Sequence, residues 1–165
     1  MDLEYTHGRV TMKVWPDFTK QDVETIINDL RATDRHEGAE LGEDPETAIV
    51  RCRDIVASTP VSYVVYLDNR PVFIWGVTAF NFHHVGLWGF GTEDTRHVIP
   101  AVTRYVRRQW LSDMARAGVR RIEARLPTAC TNSLQWLKSC GMRIECELAG
   151  VSVSGAPFSQ LAYTW

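Results

Sequence analysis

The sequence lacks the features that would mark a membrane protein, a secreted protein or a metal site. No apolar run approaches the roughly 20 residues that a membrane span needs. Met1 is followed by Asp2 and Glu4 rather than by a basic segment and an apolar core, so we expect no signal peptide. The four cysteines form no Cys-x-x-Cys pair and have no histidine at ligand spacing. We therefore expect free thiols in a reducing cytoplasm, and no metal.

The sequence also lacks a large excess of positive or negative charge. The net charge of −2 argues against nucleic-acid or membrane-surface binding driven by bulk electrostatics. Arg104, Arg107 and Arg108 leave a local anion contact open, although a solvated helix face is the simpler explanation. No internal repeat, low-complexity tract or linker divides the chain. Its 165 residues, 45% of them apolar, fit one domain spanning residues 1–165.

Hydrophobic periodicity predicts alternating helices and strands. Alternation or short apolar runs indicate strands at residues 10–15, 62–67, 72–78, 85–90, 120–126, 142–148 and 158–164. Helical spacing predicts a first helix after Thr19, which with Asp22 gives an acidic variant of the capping box. A second helix is predicted to begin at Pro45, with Asp44 as its N-cap, and to end before Pro60. Asp68-Asn69-Arg70 predicts a hairpin turn between two strands. A long helix is predicted over 100–117 and a short helix over 132–139, with a loop over 37–44. The resulting order, β-α-α-β-β-β-α-β-α-β-β, favours an α/β fold with a mixed central sheet and helices on both faces.

The segment from Leu87 to Ala101 is the most informative for function. Gly89 and Gly91 alternate at a strand end, which indicates a bulge or a close approach of backbone. A strand that passes through a polar turn into a helix N-terminus can hold an anion, because free N–H groups and the helix dipole face the ligand. Two alternatives stay open: such a turn can bind nothing, and the glycines can simply relieve crowding beneath Trp88.

This element order, with the turn placed before the longest helix, resembles the GNAT superfamily of acyl-CoA N-acyltransferases. Members carry a Gln/Arg-x-x-Gly-x-Gly/Ala run whose amides hold the CoA pyrophosphate. In this chain Arg96 matches the first position of that run and Ala101 the last, whereas Ile99 replaces the first glycine and Pro100 removes one amide donor. The resemblance implies a GNAT-like mixed sheet with acetyl-CoA or another acyl-CoA as co-substrate, and no metal.

A second segment, residues 132–142, resembles the short helix near the GNAT C-terminus, where an Asn and small residues lie beside the CoA arm. Many members carry a tyrosine four residues before the closing glycine, as general acid toward the departing thiolate. Here that position is Leu137, four residues before Gly141. The resemblance therefore implies a slow enzyme, or one in which water or the substrate amine protonates the thiolate.

A closer resemblance, covering most of the chain, is to GNAT-like proteins of tailed bacteriophages. It is carried by Leu30-Arg31 with Asp34 and Glu37, by Asn69-Arg70-Pro71-Val72, by Trp88 with Gly91-Thr92-Glu93, and by Ser133 with Trp136-Leu137. Some of those proteins are described as virion-associated and others as acetyltransferases. The resemblance implies a phage origin and a bacterial host cytoplasm, with a place in the virion left open.

Together these features give a set of candidate site residues. The resemblance and the turn chemistry assign CoA contacts to Phe90, Gly91, Thr92, Arg96, His97, Val98, Ile99, Ala101, Asn132 and Ser133. Backbone amides near Phe90 to Thr92 are the expected oxyanion donors. Candidate bases are Glu93, Asp94 and Glu123. For the first two acids, a surface loop beside a helix start is an equally good explanation.

The sequence thus predicts an N-acyltransferase that moves an acetyl or similar group from acyl-CoA to an amine by direct attack in a ternary complex. The acceptor, a small molecule or a host protein, is not specified, and a homodimer stays open. The alternative is a catalytically weak or inactive GNAT-fold phage protein that binds a host protein or belongs to the virion. Ile99, Pro100 and Leu137 favour this alternative.

Overall fold

A computed structural model describes residues 4–59 and 61–165. Its strands are β1 (Glu4–His7), β2 (Val10–Val14), β3 (Val61–Leu67), β4 (Arg70–Asn81), β5 (His84–Gly91), β6 (Arg121–Pro127), β7 (Arg143–Leu148) and β8 (Phe158–Thr164). Its helices are α1 (Lys20–Ile27), α2 (Ala32–Glu40), α3 (Pro45–Ser58), α4 (Thr95–Tyr105), a π-helical turn (Val106–Trp110), α5 (Leu111–Arg116) and α6 (Thr131–Ser139). Residues 1–3, in the segment where no signal peptide is expected, and Pro60, before which α3 is predicted to end, lie outside the described residues.

The strands form one mixed sheet in the order β1-β2-β3-β4-β5-β6-β8-β7. Every neighbouring pair is antiparallel except β5 and β6, which are parallel. The connection between these two strands is the long helical segment from Thr95 to Arg116, as a parallel crossover requires. The predicted α/β class, with a mixed sheet and helices on both faces, is confirmed.

Two apolar cores cover the two faces of this sheet. The larger core packs α4, the π-turn, α5 and α6 against one face, and Trp75, Trp110 and Leu161 are almost fully buried in it. The smaller core packs α1 and α3 against the other face around Ile26 and Ile74. The apolar run at the start of β4 is buried on both sides, which is why it does not alternate.

Local signals in the sequence produce the predicted caps and turns. Thr19 and Asp22 form a reciprocal capping box at α1, and the Asp44 side chain accepts a hydrogen bond from the Thr47 amide at α3. Asp68 and Asn69 both have positive φ, the conformation of a type I′ hairpin turn between β3 and β4. These three predictions are confirmed.

Other boundaries differ from the prediction. The first helix ends at Ile27, and a separate helix, α2, covers part of the segment predicted as a loop. Strand β1 is additional. The long helix begins at Thr95 instead of at Pro100, so Pro100 lies inside α4. The Thr95 hydroxyl donates a hydrogen bond to the Val72 carbonyl (3.1 Å), which fixes the early start against β4.

No helix among the described residues combines the length and the apolar character that crossing a bilayer demands.

Candidate active site

The centre of the sheet contains a gap between its two parallel strands. β5 and β6 pair only from His84 to Gly86, opposite Arg121 to Glu123, and then separate. A cavity of about 130 Å³ lies where they part. Its walls come from the ends of β5 and β6, from α2 and α3 on one face of the sheet, and from α6 on the other. The gap therefore connects the two faces at a point where backbone is exposed.

Gly89 presents unpaired backbone to this gap. Main-chain groups of alternate residues in a strand point to opposite edges. The Gly91 amide points away from β4, since it donates to the Asp34 carboxylate (2.8 Å), whereas the Thr92 amide donates to the Val72 carbonyl of β4 (2.9 Å). Gly89, two residues before Gly91, faces the same way, and within the described residues no strand or side chain pairs with it there.

The start of α2 closes the far end of the gap. The Arg31 amide donates to the Gly91 carbonyl (2.9 Å), and Asp34 accepts from the Gly91 amide. The Ala32 amide donates to the Glu93 carboxylate (2.9 Å). Helix α2 thus takes the place that β6 would fill beside the end of β5. The open backbone is limited to the stretch between Gly86 and Gly91.

A charged wall lines the cavity on the α2 and α3 side. Asp34 pairs with Arg31 (2.9 Å), and Arg51 pairs with Glu43 (2.9 Å). Burial raises the pKa of Asp34, although Arg31 and the Gly91 amide oppose the change. Burial and the negative charge of Asp34 raise the pKa of Glu37 to about 7. One acid of this wall therefore titrates near neutral pH.

Aromatic side chains form much of the remaining lining. Trp88, on β5, stacks on Phe90 with ring centroids 5.6 Å apart. Trp136, on α6, packs edge-on against Phe73 and donates from Nε1 to the Thr103 hydroxyl of α4 (3.1 Å). Leu137, at the position where the family has its tyrosine, is buried and also lines the cavity. The gap is thus apolar toward α6 and charged toward α2.

The three acids predicted as bases all hold structural contacts. Glu93 accepts from the Ala32 amide at the start of α2, and Asp94 forms an ion pair with Arg70 (3.4 Å). Glu123 is buried on β6, where it contacts the side chains of His84, Arg121 and Arg125. Burial opposes the ionisation of Glu123, but the hydrogen bonds from Arg121 and His84 prevail and lower its pKa.

The predicted CoA contacts fall into three groups. Phe90 and Gly91 end β5, and Thr92 follows it. The Gly91 and Thr92 amides are already bonded, and the Phe90 amide faces β4 by the same alternation. Arg96, His97, Val98, Ile99 and Ala101 lie in the first two turns of α4, with only Arg96 and His97 exposed. Asn132 and Ser133 lie in the first turn of α6, and Ser133 borders the cavity.

No family model and no curated protein matches the chain. Solved structures do match. A ribosomal-protein-S5-alanine acetyltransferase from Vibrio fischeri aligns with a TM-score of 0.65 over 99% of this chain and 97% of its own, at 17% identity. A GCN5-related N-acetyltransferase from Kribbella flavida gives 0.68 over 95% and 98%, at 15% identity. A GNAT-family acetyltransferase from Bacillus anthracis gives 0.66 over 98% of both chains, at 13% identity. The chain has the GNAT fold.

The cavity lining also includes residues that the site prediction omits. These are Arg31, Asp34, Glu37, Arg51 and Trp88. A signal was present: Arg31, Asp34 and Glu37 recur every third residue, which places them along one face of a helix. The site prediction omits these residues because it divides the segment between the end of the first helix and the loop over 37–44.

Proposed function

We propose that this chain is an acyl-CoA-dependent N-acyltransferase that transfers an acetyl or similar group to an amine by direct attack in a ternary complex. The observation that carries the proposal is the gap between β5 and β6, with the Gly89 backbone unpaired at its edge. One domain supplies the whole site. The GNAT fold of the solved acetyltransferases supports the same chemistry.

The residues at the gap fit a CoA thioester in part. A CoA arm carries two amides, and an extended amide-bearing chain can hydrogen-bond to an unpaired strand edge such as Gly89. Ser133 and the Trp136 ring border the same space. At the phosphate end, the Arg96 and His97 side chains are exposed at the start of α4, and we propose them, with Asn132, as the phosphate contacts. When bound, acyl-CoA supplies an activated acyl carbon.

The protein itself would act by positioning and by electrostatic stabilisation. The Gly89 amide is the backbone donor available to a developing oxyanion, because the Gly91 and Thr92 amides are already bonded. The acceptor amine would approach from the α2 and α3 side, where the wall is polar. Glu123, close to the point where the strands part, would then act through its ion pairs as a support for β6.

A specific observation favours the second candidate, a GNAT-fold protein that acts by binding. Ile99 and Pro100 lie within α4, so helix stands at these two positions where the family has a loop of free amides. Leu137 offers no proton to a thiolate. Under this second candidate, the protein would bind a host protein or belong to a virion. The resemblance to phage proteins, and the bacterial cytoplasm that it implies, agree with that role.

Calorimetric titration with acetyl-CoA separates the two candidates. Saturable binding to the wild type, weakened about tenfold or more in Arg96→Ala, is expected if a guanidinium–phosphate contact is lost. Arg104→Ala is the matched control, because Arg104 is exposed on the same helix, two turns from Arg96. Ile99→Gly tests whether a family glycine improves binding. If millimolar acetyl-CoA produces neither heat nor a thermal shift, the acyltransferase proposal fails; a pull-down from host lysate then tests the binding candidate.

A further inference from the structure

Glu37 occupies a distinctive position in the cavity. It lies on α2 one turn after Asp34, so the two carboxylates share a face of the helix. Asp34 is tied to the end of β5 through the Gly91 amide, whereas no hydrogen bond or ion pair reaches the Glu37 carboxylate from residues 4–59 or 61–165. Both Glu37 and the unpaired Gly89 line the same cavity. An acid without a structural partner therefore borders the space beside the exposed strand edge.

The groups around Glu37 come from every element packed against it. They are Arg31 and Asp34 on its own side of α2, Glu43 from the next loop, Arg51 and Cys52 from α3, Arg125 from β6, and Cys130 before α6. Arg31, Arg51 and Arg125 each pair with another acid: Asp34, Glu43 and Glu123. Burial and Asp34 raise the pKa of Glu37 to about 7, against the opposing attraction of Arg51 and Arg31. A base with a pKa near the operating pH is the most effective in proton transfer.

We propose that Glu37 is the general base for the acceptor amine and that Asp34 is a positioning residue holding α2 against β5. This inference rests on the proposed acyl transfer. The amine nitrogen forms a bond to the acyl carbon, the carbon–sulfur bond breaks, and its electron pair leaves on sulfur. Glu37 takes the proton that the nitrogen loses. Protonation of the sulfur from water completes the exchange, in keeping with Leu137 at the position of the family's acid.

The test compares Glu37→Gln with wild type and with Glu46→Gln, an exposed acid on α3 that makes no ion pair in the described structure. Thiol release from acetyl-CoA is followed with a panel of primary amines as pH varies. In wild type and Glu46→Gln, kcat/KM rises with pH through an apparent pKa of about 7. In Glu37→Gln it falls by about 100-fold or more and loses this dependence, while calorimetric affinity for acetyl-CoA is unchanged.

Two further measurements distinguish the loss of a general base from structural damage in the Glu37→Gln variant. Carbon-13 NMR of the glutamate carboxyls should show one titration near pH 7 that is absent from Glu37→Gln. Asp34→Asn should shift this titration and the kinetic pKa downward, because it removes the negative neighbour of Glu37. If Glu37 titrates at the ordinary pKa of a glutamate, the inference about Glu37 fails while the proposed function stands. The same holds if Glu37→Gln binds acetyl-CoA and keeps the wild-type pH profile. Failure of the wild type to bind acetyl-CoA overturns the proposed function and, with it, the inference.

Discussion

Gly91→Ala should destabilise the protein strongly, for steric reasons that the structure makes explicit. Gly91 does not have positive φ, so alanine can adopt its backbone conformation. The added Cβ, however, would overlap the Thr95 hydroxyl and lie 2.6 Å from the Val72 carbonyl oxygen, closer than real Cβ contacts. Neither neighbour can retreat freely, because that carbonyl accepts hydrogen bonds from both the Thr92 amide and Thr95.

The expected loss of unfolding free energy in Gly91→Ala depends on how rigid these two neighbours are. Inserting a methyl group into a packed site typically costs about 1–3 kcal/mol, and a clash with pinned backbone belongs at the upper end of that range. We expect about 3 kcal/mol, which for a chain of this size corresponds to a fall in Tm of roughly 6–12 °C. The assay is equilibrium urea unfolding, supported by a thermal scan.

Gly89→Ala is the matched control on the same strand. Its Cβ would meet Phe73 Cζ, the far end of a side chain, at 3.0 Å and Trp75 Cβ at 3.2 Å, both longer than the two contacts at Gly91. A loss of about 1 kcal/mol is therefore expected. Adding Thr95→Ala to Gly91→Ala should recover part of the loss, since one of the two overlaps disappears. If Gly91→Ala costs no more than Gly89→Ala, crowding does not explain why Gly91 is a glycine.

Three further predictions concern other parts of the molecule. Pro100→Ala should raise stability by about 1 kcal/mol or more in urea unfolding, because alanine restores an N–H for the Arg96 carbonyl inside α4; lower stability would contradict this. Cys146 is exposed while Cys52, Cys130 and Cys140 are buried, so a thiol reagent should modify only Cys146 rapidly in the folded protein, as peptide mass mapping would show. Because the folded pKa of Glu37 lies above its ordinary value, wild type should lose stability as pH rises from about 4.5 to about 7, and Glu37→Gln should lose less; parallel pH–stability curves would refute this.

The parts of the fold that the sequence predicted are those set by local chemistry. The capping box at Thr19, the cap at Asp44 and the turn at Asp68-Asn69 depend on residues within three positions of one another. Helix α2 escaped prediction because its nine residues carry almost no apolar periodicity. Its position depends on distant partners instead, chiefly the end of β5 and Glu93.

The sequence also fails to predict the start of α4 at Thr95, because a distant contact determines it. Proline is common in the first turn of a helix, and that rule placed the start at Pro100. The structure begins the helix five residues earlier, where Thr95 is held against β4 by a contact 23 residues away in sequence. Proline inside a helix costs a few kcal/mol. The burial of Val98 and Ala101, on either side of Pro100, outweighs this cost.

The start of α4 at Thr95 changes which groups of the chain could contact the phosphates of CoA. In a loop, successive amides can wrap a pyrophosphate; inside α4, the amides from Ile99 onward belong to the helix interior, and Pro100 has none. Phosphate recognition would then fall to the Arg96 and His97 side chains, which are exposed and screened by salt. Binding carried by side chains should weaken as ionic strength rises, whereas hydrogen bonds at Gly89 should not. The chain would hold the reactive arm of its co-substrate more firmly than the nucleotide end.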